Sequence, residues 1–390
     1  MVLSRYKPLL ICLLLNLRKL RIQKGLDNLF TGLNQINLIV RDDKNPPKPK
    51  TPSKALESEE RIVSPAEPNA NAFENKLRPT TLEEYVGQKK LKENLKISIE
   101  ASKKRDEPLE HVLLHGPPGL GKTTLASIIS REMNVNIKIT SGPALEKQGD
   151  LAAIISNLND GDVLFIDEIH RIRSVVEEIL YTAMEDYGID IVLGKGTSAS
   201  SMRINLPRFT LIGATTKTSL LSSPLRDRFG HNYKLNFYTI DEITSIILRS
   251  AKILNTKINP DAAIAIANCA RQTPRIANRL LKRVRDFADY HDVSCIDVAM
   301  VAKAFNSLGI DDIGLDTTDR KILKDIIVKF GGGPVGLNTI SAATSEEEST
   351  IEDIYEPFLI KLGMLERTPR GRIATPNAYV HLGLEQKSLL

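Results

Sequence analysis

The sequence predicts an α/β fold built on a parallel sheet, followed by a small all-helical domain and a last domain of three helices and a hairpin. Three observations carry this prediction. A glycine-rich turn joins an apolar strand to a helix, a second apolar strand ends in two carboxylates, and helical periodicity takes over after residue 239. With 390 residues, 42% of them hydrophobic and 26% charged, the chain can form two or three domains with ordinary cores.

The first 75 residues differ from the rest. Residues 9–15 form an apolar run that resembles the start of a signal peptide, but no small-x-small cleavage site follows and the run is too short to span a bilayer. We interpret residues 1–41 as an N-terminal extension of unclear role, which is either non-essential or the result of a start codon assigned too early, and we expect no stable membrane association. Residues 42–75 are rich in Pro, Lys, Ser and Glu, which predicts a disordered linker.

Charge and cysteine usage set broad limits on function. The net charge of +5 is only mildly basic and points weakly to nucleic acid. The three cysteines, Cys12, Cys269 and Cys295, are scattered and show neither a disulfide framework nor a zinc spacing. A reducing compartment follows, and we expect a cytoplasmic protein.

Residues 115–124 read HGPPGLGKTT and predict a phosphate-binding loop. The glycines let successive backbone N–H groups converge on a phosphate at the start of a helix. Lys122 would reach the β- and γ-phosphates of ATP, and the Thr123 hydroxyl would ligate Mg²⁺. A chance glycine-rich turn is the alternative, which the flanking strand and helix disfavour. The predicted nucleotide-binding residues of the loop are Gly116, Gly119, Leu120, Gly121, Lys122, Thr123 and Thr124.

Two further apolar strands end in polar side chains that suit catalysis. Residues 162–168 end in Asp167, placed to hold Mg²⁺ through water, and Glu168, a candidate general base for the attacking water. Adjacent acids can also be an ordinary helix N-terminus. Residues 209–214 lead to Thr215 and Thr216, whose hydroxyls could sense the γ-phosphate or position water.

Three other segments allow both a functional and a plain structural reading. Residues 189–206 alternate around a Gly/Ser-rich centre, which predicts a β-hairpin that is either a docking surface or a sheet edge. Arg226 and Arg228, with Asp227 between them, could form a solvated surface pair, or one of the two arginines could reach a phosphate across a subunit boundary. Arg275, at the start of a basic helix, could contact the nucleotide or belong to a solvated face.

The last eighty residues predict a winged-helix module. Helices are predicted at 320–330 and 337–343, and the apolar residues of 351–362 fall on one helical face. Residues 364–374 read as a hairpin with a basic tip. Because the preceding helix opens with five acids between 346 and 353, we expect the wing to contact DNA instead. The predicted DNA-binding residues are Arg367, Arg370 and Arg372.

Together these residues resemble the RuvB family, the bacterial Holliday-junction branch-migration motors of the AAA+ class. The resemblance spans roughly residues 60–384 and is specific because many motifs occur in order. They are LRP at 77–79, EYVGQ at 84–88, the phosphate loop, TSGP at 140–143, FIDEIHR at 165–171, MEDY at 184–187, SPLRDRFG at 223–230, TPRIANR at 273–279 and RTPRGR at 367–372.

The resemblance implies an ATPase that assembles as a homo-hexamer around duplex DNA and acts on four-way junctions in recombination and repair. It assigns Thr215 and Thr216 to sensor 1, Arg228 to an arginine finger for the neighbouring subunit and Arg275 to sensor 2. Met202 and Ile204 would dock a RuvA-like junction-binding protein, and a RuvC-like resolvase is a further expected partner. The remaining residues implied to bind ATP are Leu77, Arg78, Glu185, Asp186, Tyr187 and Tyr238.

One departure from the family pattern is Glu348, which stands where an arginine is common and puts one phosphate contact in doubt. The predicted domains are the large ATPase domain (76–238), the lid (239–309) and the winged-helix domain (310–390). A clamp-loader-like switch is the nearest alternative function, disfavoured because no zinc-ligand cysteines appear. An inactive scaffold conflicts with the intact Lys122, Glu168 and Arg228, and a sequence-reading regulator conflicts with the acidic helix.

Overall fold

The computed structural model describes residues 75–193 and 200–385, with the side chains at 191–193, 200 and 201 left out. The predicted N-terminal extension, all but the last residue of the predicted linker, and the tip of the predicted hairpin lie outside the described residues. Within those ranges, none of the helices is long and apolar enough to cross a bilayer.

A five-stranded sheet forms the centre of the large domain. Its strand order is β2-β3-β6-β1-β7, and every neighbouring pair is parallel. The central strands β1, β3 and β6 are buried almost throughout, as expected of parallel strands covered on both faces. The strand bounds are β1 Val112–His115, β2 Ile137–Ser141, β3 Val163–Asp167, β6 Thr210–Thr215 and β7 His231–Lys234.

Helices cover both faces of this sheet and create two hydrophobic cores. On β1, Val112 and Leu114 belong to one core and Leu113 to the other, because successive strand side chains point to opposite faces. Helix α2 packs on the first face and α4 on the second. The helices of this domain are α1 Lys89–Arg105, α2 Lys122–Met133, α3 Gln148–Ile155, α4 Ser174–Glu185 and α5 Ser223–Asp227.

The predicted hairpin is present as a separate two-stranded antiparallel sheet. Strand β4 (Gly188–Leu193) pairs with β5 (Ser200–Asn205), with Ile189 opposite Ile204 and Ile191 opposite Met202. Ile189 is buried against the second core, whereas Met202 is 39% exposed. The hairpin therefore packs on the core through Ile189 and leaves the Met202 side chain exposed.

The lid is all-helical and shares the first core with the large domain. Its first helix begins with a capping box, in which Thr239 accepts from the Glu242 backbone N–H and the Glu242 carboxylate accepts from that of Thr239. The four lid helices are α6 Ile240–Ile253, α7 Pro260–Cys269, α8 Pro274–Tyr290 and α9 Val298–Leu308.

The third domain has its own core and the predicted winged-helix order. Helices α10 (Thr317–Phe330) and α11 (Leu337–Thr344) come first. A third helix follows in three parts: α12 (Glu348–Thr350), a π-helical turn (Ile351–Tyr355) and α13 (Glu356–Lys361). The wing is β8 (Leu365–Thr368) paired with β9 (Gly371–Ala374), and α14 (Pro376–Leu382) closes the domain.

The prediction that Ile354 shares the buried face of this helix was wrong. Ile351, Phe358 and Leu359 are buried in the third core, but Ile354 is 52% exposed. The π-helical turn widens the spacing of residues around the axis, so a pattern counted for an α-helix misplaces a residue within it.

Polar contacts attach the third domain to the lid and the large domain. Arg271, at the turn between α7 and α8, pairs with Asp316 at 3.0 Å and with the fully buried Asp319. Burial raises the pKa of Asp319 to about 7, and its ion pair with Arg271 opposes that shift. The ammonium of Lys361 lies 3.7 Å from the centre of the Phe237 ring.

Candidate nucleotide site and wing

A cleft of about 730 Å³ opens where the three domains meet. The phosphate loop and the acids at the end of β3 line its large-domain side, Arg275 lines its lid side, and Ile354 and Tyr355 approach from the third domain. Chemistry in parallel α/β sheets lies at the carboxyl ends of the strands, and the cleft is at that edge.

The glycines of the phosphate loop adopt backbone conformations that side chains disfavour. Gly119 and Gly121 have φ of +80° and +95°. Gly116 has φ of +142°, and a Cβ there would lie 2.6 Å from the Leu235 carbonyl oxygen. Residues 118–124 of the loop line the cleft at the start of α2, and the N-terminus of a helix is a site that binds phosphate through backbone N–H groups.

Lys122 is held within this loop. Its ammonium donates to the carbonyl oxygens of Gly116 at 2.7 Å and Pro117 at 3.1 Å, and the residue is 7% exposed. Burial lowers its pKa, while Glu168 and Asp167 act in the opposite direction. The lysine is thus a desolvated cation close to where the phosphates would lie.

Two tyrosine hydroxyls fix the middle of the loop from outside. Tyr85 and Tyr238 both donate to the Leu120 carbonyl oxygen, at 3.1 and 3.2 Å. Both rings are buried, and burial raises the pKa of Tyr238 to about 12, so its hydroxyl stays a donor. The resemblance pointed to Tyr238 as a pocket wall; the structure adds Tyr85, which lies within the EYVGQ motif.

The acids at the end of β3 lie together in the cleft. Burial and the neighbouring Glu168 raise the pKa of Asp167. Glu168 has φ of +48°, which turns the chain sharply after the strand. Its Oε2 accepts from the Thr216 hydroxyl at 3.2 Å and lies 3.4 Å from the Thr216 nitrogen. The candidate base and one candidate sensor residue are therefore in direct contact.

His170 belongs to the same group of contacts, and it was not among the residues predicted to be functional. Its Nδ1 lies 3.2 Å from Glu168 Oε2 and 2.9 Å from Thr215 Oγ1. Burial is the largest influence on His170 and lowers its pKa. Its place in the FIDEIHR motif, two residues after the acid, was the signal that could have found it.

Leu77, Arg78, Tyr238 and Arg275 lie around the cleft, as the resemblance implied. Leu77 is buried, and its carbonyl accepts from the Arg249 guanidinium at 2.9 Å. Arg275 packs against Gly119, and its backbone nitrogen lies 3.4 Å from the Gly119 carbonyl oxygen. The lid thus contacts the phosphate loop directly.

Four residues that the resemblance assigned to nucleotide contacts lie outside the described lining of this subunit's cleft: Glu185, Asp186, Tyr187 and Arg228. Tyr187 packs its ring 6.0 Å from Phe209 and 6.4 Å from His111, outside the described lining of the cleft. Arg228 bonds Glu185 at 2.9 Å, and Asp186 pairs with Arg203 at 3.1 Å. The expectation that Tyr187 lines the adenine side of the pocket is not met within this subunit, because Tyr187 follows α4 and packs against the second core. Arg228, which the resemblance assigned to the neighbouring subunit's nucleotide, also lies away from its own cleft.

The wing arginines differ in what they face. Arg370 is exposed at the turn between β8 and β9. Arg367 is 55% exposed and pairs with Glu352 at 3.1 Å. Arg372, by contrast, is only 12% exposed and binds Glu356 through Nη2 at 2.9 Å and Nε at 3.3 Å. The expectation that Arg372 points outward to DNA is therefore not met.

On the hairpin, the structure separates the two candidate docking residues. Met202 is exposed and Ile204 is half-buried opposite Ile189. Met202 is the more exposed of the two residues, and an exposed methionine is an adaptable apolar contact.

Sequence models of one family match almost all of the described chain. The Holliday junction DNA helicase RuvB P-loop domain matches residues 77–235, the RuvB AAA lid domain residues 238–311, and the RuvB C-terminal winged helix domain residues 312–383. These matches leave the clamp-loader-like alternative without support.

Solved structures agree. The Thermotoga maritima RuvB Holliday junction branch migration motor is 51% identical over 80% of this chain and 99% of its own, with a TM-score of 0.73. A single-residue variant of the same Thermotoga maritima protein is 52% identical over 79% and 99%, with a TM-score of 0.74. The phosphate loop, acidic strand end, helical lid and wing therefore have one shared origin, and the chain belongs to the RuvB family of Holliday junction DNA helicases.

Proposed function

We propose that this protein is an ATP-driven motor that moves duplex DNA and drives branch migration at Holliday junctions. The observation that carries the proposal is the convergence in one cleft of the phosphate loop, the Asp167–Glu168 pair and the lid residue Arg275. A lid that contacts the phosphate loop can move when the bound nucleotide changes, and that motion is the means of coupling hydrolysis to the DNA-binding domain.

Mg²⁺ fits the residues present. The hydroxyl of Thr123 and the carboxylate of Asp167 both line the cleft, and oxygen ligands of this kind, with water, are those that Mg²⁺ prefers. The raised pKa of Asp167 reflects a buried acid beside another acid, which a cation would relieve. When bound, the metal would neutralise charge on the β- and γ-phosphates.

Glu168 is the proposed base. Water attacks the γ-phosphorus, the water proton passes to the Glu168 carboxylate, and ADP leaves with the electrons of the broken P–O bond. Thr216 holds Glu168 Oε2 through its hydroxyl, so it sets the direction of the carboxylate. Lys122 and the loop N–H groups balance the charge on the phosphates.

Arg228 is proposed to act on a neighbouring subunit. It lies outside the described lining of its own cleft, together with its partner Glu185, and its Nε is buried without a hydrogen-bond partner among the described residues. In a ring of six subunits, these residues would lie at the nucleotide cleft of the next subunit. All four residues that miss their own cleft, Glu185, Asp186, Tyr187 and Arg228, could then contact a nucleotide. This arrangement would explain why Glu185, Asp186 and Tyr187 carry the family pattern yet miss the cleft.

The DNA grip is proposed for the wing, with Arg370 as the exposed phosphate contact and Arg367 beside it. Phosphate contacts carry no base information, which suits a motor that must pass along any sequence. Met202 and Ile204 are proposed to dock a RuvA-like partner, and a RuvC-like resolvase would act on the same junction. We propose that the protein acts in the cytoplasm.

The test is ATP turnover and strand separation on a synthetic four-way junction, with and without a RuvA protein. We expect junction-stimulated turnover and ATP-dependent migration of the branch point. Glu168→Gln should retain ATP binding but lose turnover by about 10²- to 10⁴-fold, because Gln keeps the shape but cannot take the proton. Glu178→Gln, at an exposed position of α4, is the matched control and should stay active. Migration that continues without ATP would overturn the proposal.

A further inference from the structure

The acids that open the third helix of the winged-helix domain contact the catalytic side of the ATPase domain. The ammonium of Lys217 lies 3.0 Å from Asp353 Oδ1 and 3.7 Å from Glu352 Oε2. These ion pairs raise the pKa of Lys217, chiefly through its hydrogen bond to Asp353. These acids therefore have a contact within the protein in addition to the repulsion of DNA expected from their charge.

Lys217 directly follows Thr216, the residue that holds the candidate base. Thr216 donates to Glu168, and the Lys217 backbone nitrogen donates to Thr215 Oγ1 at 3.0 Å. A pull on the Lys217 side chain therefore acts on the turn that positions the Glu168 carboxylate.

The other end of the same network reaches the wing. Glu352 Oε1 accepts from Arg367 Nη2 at 3.1 Å, while its Oε2 faces Lys217. One carboxylate thus lies between a wing arginine and the lysine beside the sensor residues. A DNA phosphate that binds Arg367 would compete with Glu352 for that arginine.

We propose that Lys217, Glu352 and Asp353 couple DNA binding at the wing to ATP hydrolysis, with Lys217 a positioning residue for Glu168. When a DNA phosphate binds Arg367, Glu352 loses that partner and pairs with Lys217 alone. The stronger Glu352–Lys217 ion pair then tightens the contact between the third domain and the turn at Thr215 and Thr216. This inference rests on the proposed function, since it requires both hydrolysis and a DNA-contacting wing.

The magnitude is modest because these side chains are 31% to 55% exposed. Coupling through such a network is a few-fold effect, about three- to five-fold in the ratio of DNA-stimulated to basal turnover. Saturating DNA must be used, so that a change in DNA affinity does not enter the ratio.

The experiment measures turnover of the full chain with and without saturating duplex DNA. Asp353→Asn should keep basal turnover and lose about three- to five-fold of the stimulation. Glu366→Gln is the matched control: it removes one negative charge at the position next to Arg367, and Glu366 makes no ion pair within 75–193 or 200–385. The reversed pair Lys217→Glu with Asp353→Lys should recover most of the stimulation that Lys217→Glu alone loses.

The outcomes separate this inference from the function on which it rests. If the wild type shows no stimulation by DNA, the motor function itself is wrong. If the wild type is stimulated and Asp353→Asn is stimulated equally, only the coupling network is overturned. Equal losses of stimulation in Asp353→Asn and Glu366→Gln would also overturn it, because the loss would then result from the overall charge near the wing and not from the ion pairs of Lys217.

Discussion

Replacing Arg372 with Met should destabilise the third domain rather than remove a DNA contact. Glu356 is 2% exposed, and Arg372 gives its Oε2 two hydrogen bonds, at 2.9 and 3.3 Å. Removing one partner of a buried ion pair typically costs about 3–5 kcal/mol. Arg367 remains 3.9 Å from Glu356 Oε1, so we expect the lower end of that range, about 3 kcal/mol.

Amide hydrogen exchange measures this loss locally. A loss of about 3 kcal/mol raises the population of the opened third domain by more than about 100-fold, so amides of α10 should exchange faster by that factor. Arg370→Met is the matched control, because Arg370 is exposed and makes no ion pair within the described ranges. Its exchange should stay as in the wild type.

A double variant tests the electrostatic reason. Arg372→Met with Glu356→Met removes both charges, and replacing a whole buried pair with apolar groups is often close to neutral. The double variant should therefore recover most of the protection. Wild-type exchange in Arg372→Met would refute the reasoning, since Glu356 would then tolerate burial without this partner.

Arg228→Ala should lower turnover by roughly 10³- to 10⁵-fold with ATP binding little changed, and mixing it with Lys122→Ala should restore part of the activity in shared rings. An absence of rescue at every mixing ratio would show that Arg228 acts within its own subunit. Met202→Asp with Ile204→Asp should abolish RuvA binding in a pull-down while basal turnover survives; unchanged binding would leave the hairpin an ordinary sheet edge. Arg370→Glu should weaken duplex binding equally across sequences and reduce the log–log salt slope by about one unit, as expected for one phosphate contact. An unchanged slope would place the DNA elsewhere.

Local pattern determined most of the fold. The apolar runs ending at Asp167 and Thr215, the glycine turn before Lys122 and the alternation around Met202 predicted elements that the structure contains. Strand burial, glycine conformation and helical spacing are all properties of neighbouring residues, so they can be counted along the chain. Where local geometry departed from the count, at the π-helical turn, the placement of Ile354 was wrong.

The sequence by itself determined which residues could do chemistry: the phosphate loop, the two acids, the threonines and the basic wing. Only the tertiary structure decided which side chains meet. It buried Arg372 against Glu356, put Arg228 and Tyr187 away from their own cleft, and joined Lys217 to Asp353, 136 positions further along the chain. The sequence does not distinguish an arginine or glutamate that faces a phosphate from one that pairs within the protein. Its role depends on which charged groups folding brings within a few ångströms of it.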